Sequence, residues 1–233
     1  MYELYAYPNT YAIGVHLLLQ EFGVDYRVID VSEFGARGEE SHSYENSDSV
    51  SFKQISPHRR VPALRLADGS SQFESGAIAL HLADSLCDGE FSIAADSASR
   101  PEYLQWLFYL SSTLQPEIML QFHPEHYFDD TSTQQALKAA SMRRLSKIWP
   151  VLETRYAAGP WMFEDRPTAV DFSLATVLFW KQCFQPNVSI YPNLLRTLQA
   201  IEKREACAEV LCWHRREISQ TGKPARTTTS QHK

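Results

Sequence analysis

Residues 60–84 read RVPALRLADGSSQFESGAIALHLAD, and three local instructions follow one another within them. Val61-Pro62-Ala63-Leu64 opens a strand on a proline, which has no N–H to donate and so suits a strand start. Ala67-Asp68-Gly69-Ser70 reads as a hairpin turn, since Asp-Gly supplies the positive φ that a tight reversal demands. A second short strand is expected over residues 71–73. Glu74-Ser75-Gly76 then precedes a helical pattern of Ala77, Ile78, Leu80 and Leu82, which places Ser75 at a helix N-terminus.

A helix start has unpaired N–H groups and partial positive charge, so it can hold a carboxylate. Val61 can offer its backbone N–H and C=O to a peptide-like ligand, as a strand does when a peptide adds to a sheet edge. Glu74 can pair with an amine beside the carboxylate. The ligand requested is amino-acid-like at one end and peptide-like in the middle. Taken singly, Val-Pro-Ala-Leu and Glu-Ser are common, and a lone Ser75 is a plain helix cap.

At this spacing the stretch resembles the glutathione-binding half of the glutathione transferase family. There a strand opens with Val-Pro, the proline is cis, and a Glu/Gln-Ser pair at the next helix start holds the γ-glutamyl group of glutathione. The resemblance implies a glutathione site at Val61, Pro62, Glu74 and Ser75. Arg59 and Arg60 precede Val61 and either meet the glycine carboxylate or stand as a solvated basic pair.

Outward from this stretch, residues 3–7 form an aromatic-rich strand that Pro8-Asn9-Thr10 breaks. Ile13, Val15, Leu17, Leu18 and Leu19 give an apolar helix stopped by Gly23, and residues 26–31 read as a second strand. Strand, helix, strand requires a parallel pair. The order βαβ followed by ββα is that of a thioredoxin-like domain, and the expected fold class is an α/β thioredoxin-like domain followed by an all-α helical bundle. Boundaries fall at 1–86 for the glutathione-binding domain, 87–99 for a polar linker, 100–218 for the helical domain and 219–233 for a disordered tail. Residues 32–54 lose their apolar period and read as a mobile lid or as plain disorder, with a short helix near 52–55 implied by the family.

In the second half, residues 133–156 read as a long helix that Pro150 should kink or break. Thr168-Ala169-Val170-Asp171 is a capping box before a buried helix, a recurrent feature of the family's second domain. Tyr191-Pro192-Asn193-Leu194 begins another helix in the family's register.

The 233 residues are 44% hydrophobic and 21% charged, an ordinary globular balance. A formal charge of −6 argues against nucleic acid as the main partner. No apolar run is long enough for a membrane span, and the N-terminus lacks a signal-peptide pattern, so a cytoplasmic location is expected. Cys87, Cys183, Cys207 and Cys212 have no CxxC spacing and lie away from the Val-Pro and Glu-Ser motifs, which weighs against cysteine-based redox chemistry.

Glutathione transfer needs a donor that lowers the pKa of the bound thiol. In the family it comes from the end of the first strand or the following turn, which here offers Tyr5, Tyr7, Asn9, Thr10 and Tyr11. Counting back from Gly23, Tyr11 falls where the bacterial beta class has its cysteine and Asn9 where serine-using classes have their hydroxyl. The ranking is Tyr11, then Asn9, then Thr10, with a turn tyrosine packed over the first helix as the alternative reading of Tyr11. With Tyr11 as donor, Tyr11→Phe is expected to raise the thiol pKa and leave glutathione affinity nearly intact. Gln115 and Pro116 stand where the beta class has a His-Lys pair, so the chain resembles a divergent bacterial member. An electrophile pocket is placed near Tyr109, Ser112, Thr113, Gln115 and His123. His123 and His126 flank Pro124-Glu125 without a third spaced ligand, and no metal is read there.

The activity the resemblance implies is conjugation of the glutathione thiol to an electrophilic small molecule, a detoxification reaction, in a homodimer. A non-catalytic binding or regulatory protein of the same fold is the alternative from another class. Glutathione-dependent isomerisation or dehalogenation is the alternative among enzymes.

Overall fold

A computed structural model describes residues 1–31, 52–163, 166–180 and 190–215. The lid expected over most of 32–54 and the tail over 219–233 lie outside the described residues, as does Cys183.

Strand β1 (Tyr2–Ala6), helix α1 (Ala12–Glu21) and strand β2 (Tyr26–Asp30) are followed by the short helix α2 (Phe52–Ile55). Strands β3 (Ala63–Arg65) and β4 (Ser71–Phe73) then lead into helix α3 (Ser75–Ser85). The four strands form one sheet in the order β2-β1-β3-β4, with β1 parallel to β2 and antiparallel to β3. Gly23 adopts φ 61° just beyond α1, the left-handed stop that its lack of a Cβ permits.

Period-two alternation gives β1 two different faces. Leu4 and Ala6 enter the large core with Ile13, Leu17, Leu64, Ile78 and Phe172. Tyr5 enters a smaller one with Ile29, Phe52, Ile55 and Ala63, its ring stacked on Phe52 at 5.5 Å. Tyr5 donates to Glu3 Oε2, and Glu3 also pairs with Arg27 and Arg65.

The helical half begins with α4 (Arg100–Tyr109), one π-helical turn (Leu110–Leu114) and α5 (Gln115–Phe122). Pro116 explains the wide turn: its ring leaves no room for a regular i−4 contact at the Ser112 carbonyl. Helix α6 (Thr131–Arg155) starts two residues before the expected position, because Asp130 caps it by accepting from the Thr133 N–H at 2.7 Å. Of the kink or break expected at Pro150, the break does not occur: the helix runs on through it. Helices α7 (Ala169–Leu178), α8 (Pro192–Glu202) and α9 (Glu205–His214) complete the described chain. None of the described helices is long and apolar enough to cross a membrane.

Helix α7 joins the two halves. The Gly14 N–H donates to Thr176 Oγ1 at 2.9 Å, and a Cβ at Gly14 would lie 2.7 Å from the Phe172 carbonyl oxygen. Only glycine allows α1 this close to α7. Asp171 fixes the start of α7 from a fully buried position, accepting from the Thr168 N–H (2.7 Å), Thr168 Oγ1 (3.0 Å), Tyr156 OH (2.8 Å) and the Met162 N–H (2.9 Å).

Candidate functional site

Register alone assembles one end of the sheet. Tyr5 lies opposite Ala63, and Ala63 opposite Phe73, so the end of β1, the start of β3 and the end of β4 are neighbours. The turn 7–11, Val61-Pro62 and Glu74-Ser75 therefore share one edge. The Val61-Pro62 bond is cis. Glu74 sits at φ 73°, ψ 111° just ahead of α3, outside the comfortable regions for a residue with a Cβ, at a cost of about 1–3 kcal/mol.

Ser75 Oγ accepts from Gln115 Nε2 at 3.1 Å. Its own O–H remains available as a donor at the start of α3, where the helix already favours an anion. Gln115 thus reaches the first half of the chain from the helical half. Arg60 is exposed, and its backbone N–H and C=O are both held by the Ser56 hydroxyl at 3.0 Å.

The turn residues have distinct partners. Thr10 donates its hydroxyl to the Tyr7 carbonyl at 2.8 Å, and its oxygen receives the Ala12 N–H at 3.4 Å. Tyr11 donates to the Gln115 carbonyl at 3.3 Å and meets the Trp180 ring edge-on at 4.9 Å; burial pushes its phenol pKa well up. Tyr7 is half-buried against the smaller core beside Val61, and burial raises its pKa too.

Asn9 is exposed at φ 59°. Its backbone N–H donates to His214 Nδ1 at 3.3 Å, and its side-chain Oδ1 accepts from Trp180 Nε1 at 2.7 Å. An indole nitrogen can only donate, so the hydrogen-bond network assigns oxygen to the Trp180 side and the amide NH2 to the other. In the sequence Trp180 reads only as an apolar residue at helical spacing after the Thr168–Asp171 box, and no local signal ties it to the turn. It lies 171 residues from the residue it orients.

Ser75, Gln115, Tyr11, Gly14, Val15, Ser173 and Thr176 line a crevice of about 10 Å³, room for one water at most. Among the residues around the expected electrophile pocket, Ser111 approaches α3, 3.4 Å from where a Cβ on Gly76 would be. Ser112 and Thr113 are exposed; Ser112 donates to the Phe108 carbonyl at 2.6 Å. Tyr109 is half-buried against Trp106. Phe122 contacts Trp180 at 5.3 Å, which brings it toward the Asn9 turn.

Ligating atoms of His123, Glu125 and His126 lie within 4.8 Å of one another. His123 bonds Glu125 at 3.1 Å, and the two imidazoles stack with planes only 8° apart. Their lone pairs therefore run in parallel planes and do not converge on one point. Cys207 is buried, which pushes its thiol up to about 12, and Cys212 is exposed and unbridged.

Residues 10–85 match the glutathione S-transferase N-terminal domain and residues 106–205 the glutathione S-transferase C-terminal domain. The chain is 26% identical over 209 residues to the glutathione S-transferase GstA of Escherichia coli O157:H7, covering 90% of this chain and 96% of that one. It is 27% identical over 224 residues to the disulfide-bond oxidoreductase YfcG of Escherichia coli K12, covering 91% and 94%. A glutathione transferase from Methylococcus capsulatus superposes with a TM-score of 0.73 at 26% identity over 91% of this chain and 98% of that one. A glutathione transferase homologue from Sulfitobacter with bound glutathione superposes with a TM-score of 0.76 at 20% identity, over 90% and 96%. With the mixed sheet, the shared edge that carries Val61, Ser75 and Asn9, and both halves matched in order, this chain belongs to the glutathione S-transferase family.

Proposed function

We propose that the protein binds glutathione along the edge formed by Val61, Glu74 and Ser75 and conjugates its thiol to an electrophilic small molecule, with the Asn9 side-chain amide as the thiolate donor. The observation that carries this reading is the Trp180–Asn9 hydrogen bond, which turns the amide NH2 away from the indole. The Tyr11 hydroxyl is engaged with the Gln115 carbonyl and that of Thr10 with the Tyr7 carbonyl.

In the reaction, the thiol loses its proton to solvent and the thiolate sulfur bonds the electrophilic carbon, from which the leaving group departs with its electron pair. One amide N–H directed at the sulfur favours the thiolate over the thiol, because a hydrogen bond to the charged form lowers a pKa. Val61 pairs with the tripeptide backbone, and Ser75 with the α3 start holds the γ-glutamyl carboxylate. Glu74 holds the adjacent amine, and Arg60 lies near the glycine carboxylate. The acceptor space is bounded by Tyr109, Gln115 and Phe122. The domain division at residues 86 and 100, the homodimer and the cytoplasmic location are extended to this chain from the family.

Likeness to the disulfide-bond oxidoreductase favours a second reading, in which the same thiolate attacks one sulfur of a disulfide, forms a mixed disulfide and expels the other sulfur as a thiolate. Both readings need glutathione to bind. Calorimetry with reduced glutathione on wild type and Ser75→Ala should show affinity falling by about tenfold or more, the loss of one charge-assisted hydrogen bond. Thiolate ultraviolet absorbance against pH in the same samples should give a thiol pKa below that of free glutathione. No binding by the wild type would overturn the proposal, and turnover of a disulfide with no electrophile conjugated would select the second reading.

A further inference from the structure

Helix α9 reaches the Asn9 turn through His214, whose other ring nitrogen meets His16 of α1. His16 and His214 are each only 4% exposed, and His16 Nδ1 lies 3.2 Å from His214 Nε2. A contact between two imidazole nitrogens holds one proton, carried by one ring or the other, and here a backbone group decides which. The Asn9 N–H can only donate, so His214 Nδ1 accepts and carries no hydrogen.

The neutral ring then has its proton on Nε2, which donates to His16 Nδ1. By the same step His16 has its proton on Nε2 and donates to the Tyr26 oxygen at 3.1 Å. Tyr26 passes its own hydrogen to Gln20 Oε1, and Gln20 Nε2 donates to Glu209 Oε2 at 3.2 Å. Burial and the nearby Glu209 raise the Tyr26 pKa to about 12, which keeps the phenol a donor. Every bond runs the same way, from a backbone N–H at the turn to a surface carboxylate.

We propose that His214 is a positioning residue for the Asn9 thiolate donor, with its tautomer set by the Asn9 N–H and continued in the bonds to His16 and Tyr26. Asn9 occupies a positive-φ conformation that asparagine tolerates but does not require. His214 holds its backbone N–H and Trp180 holds its side-chain oxygen, so α9 and the end of α7 pin the residue at two points. A side chain pinned in this way loses little rotamer freedom when it meets the sulfur, which is where preorganisation acts. The inference rests on Asn9 being the donor.

Two measurements test it. Nitrogen-15 spectra of the imidazoles in wild-type protein at slightly alkaline pH should show both His16 and His214 protonated on Nε2; an Nδ1 proton on either ring would overturn the relay. This readout needs no variant and stands even if a substitution prevents folding. The second is the thiol pKa of bound glutathione in Asn9→Ala, His214→Phe and His214→Asn. Asparagine at 214 places an acceptor oxygen near the position of Nδ1, so it should stay within a few tenths of wild type, while His214→Phe rises by about 0.5 to 1. A raised value in Asn9→Ala with an unchanged one in His214→Phe overturns the positioning role alone. An unchanged value in Asn9→Ala overturns the thiolate reading and this inference with it.

Discussion

The two sides of the proposed site are built in opposite ways. Val61, Glu74 and Ser75 lie within fifteen positions of one another, and a proline, a turn and a helix start place them by local chemistry. The Asn9 side of the site is placed from a distance: its backbone partner is 205 residues away and its side-chain partner 171. A binding edge can be written into a short stretch, whereas a reactive group is aimed by whatever packs against it.

That contrast is weakest at Asp171, where a local signal conceals a distant task. In the sequence it completes a capping box with Thr168, and in the structure it also holds Tyr156 and the Met162 N–H. Asp171→Ala strands several buried donors at once and should destabilise the fold by about 3–5 kcal/mol in urea denaturation. Thr168→Ala removes only the cap hydroxyl and should cost about 1 kcal/mol. Equal losses would mean that the distant bonds contribute nothing and that the box is only a cap.

Trp180→Phe sharpens the comparison at the site itself. A phenyl ring can keep the contacts with Tyr11 and Phe122, at 4.9 and 5.3 Å, while deleting the donor to Asn9 Oδ1. The thiol pKa of bound glutathione should rise by about 0.5 to 1, the worth of one hydrogen bond, while glutathione affinity stays within about twofold. Affinity that falls with no change in thiol pKa would place Trp180 on the binding side and erase the distinction between the two.

The same contrast explains what could be read from the chain. The β3–β4 hairpin and the start of α3 match expectation because each signal lies next to the residue it controls. The start of α6 shifts by two residues because the cap is Asp130, just outside the apolar period used to find the helix. Its passage through Pro150 depends on packing on the core through Ile148, Trp149 and Leu152, which a helix-breaker rule does not include. Gln115 could be placed near glutathione by resemblance, but its bond to Ser75 could not, because a π-helical turn sets its register.

Tyr11 carries the smallest expected effect. By position it ranks first as the thiolate donor, and by contact it is a bolt between the two halves, donating to the Gln115 carbonyl with its ring edge-on to Trp180. Burial raises its pKa, so its proton is held and already directed. Tyr11→Phe removes one long hydrogen bond at 3.3 Å and keeps the ring, for a stability loss of about 0.5 kcal/mol. Bound glutathione in that variant should titrate as in wild type, followed by thiolate absorbance. A rise as large as that in Asn9→Ala would return the donor role to the phenol, and position in the sequence would then have located the reactive group better than its contacts do.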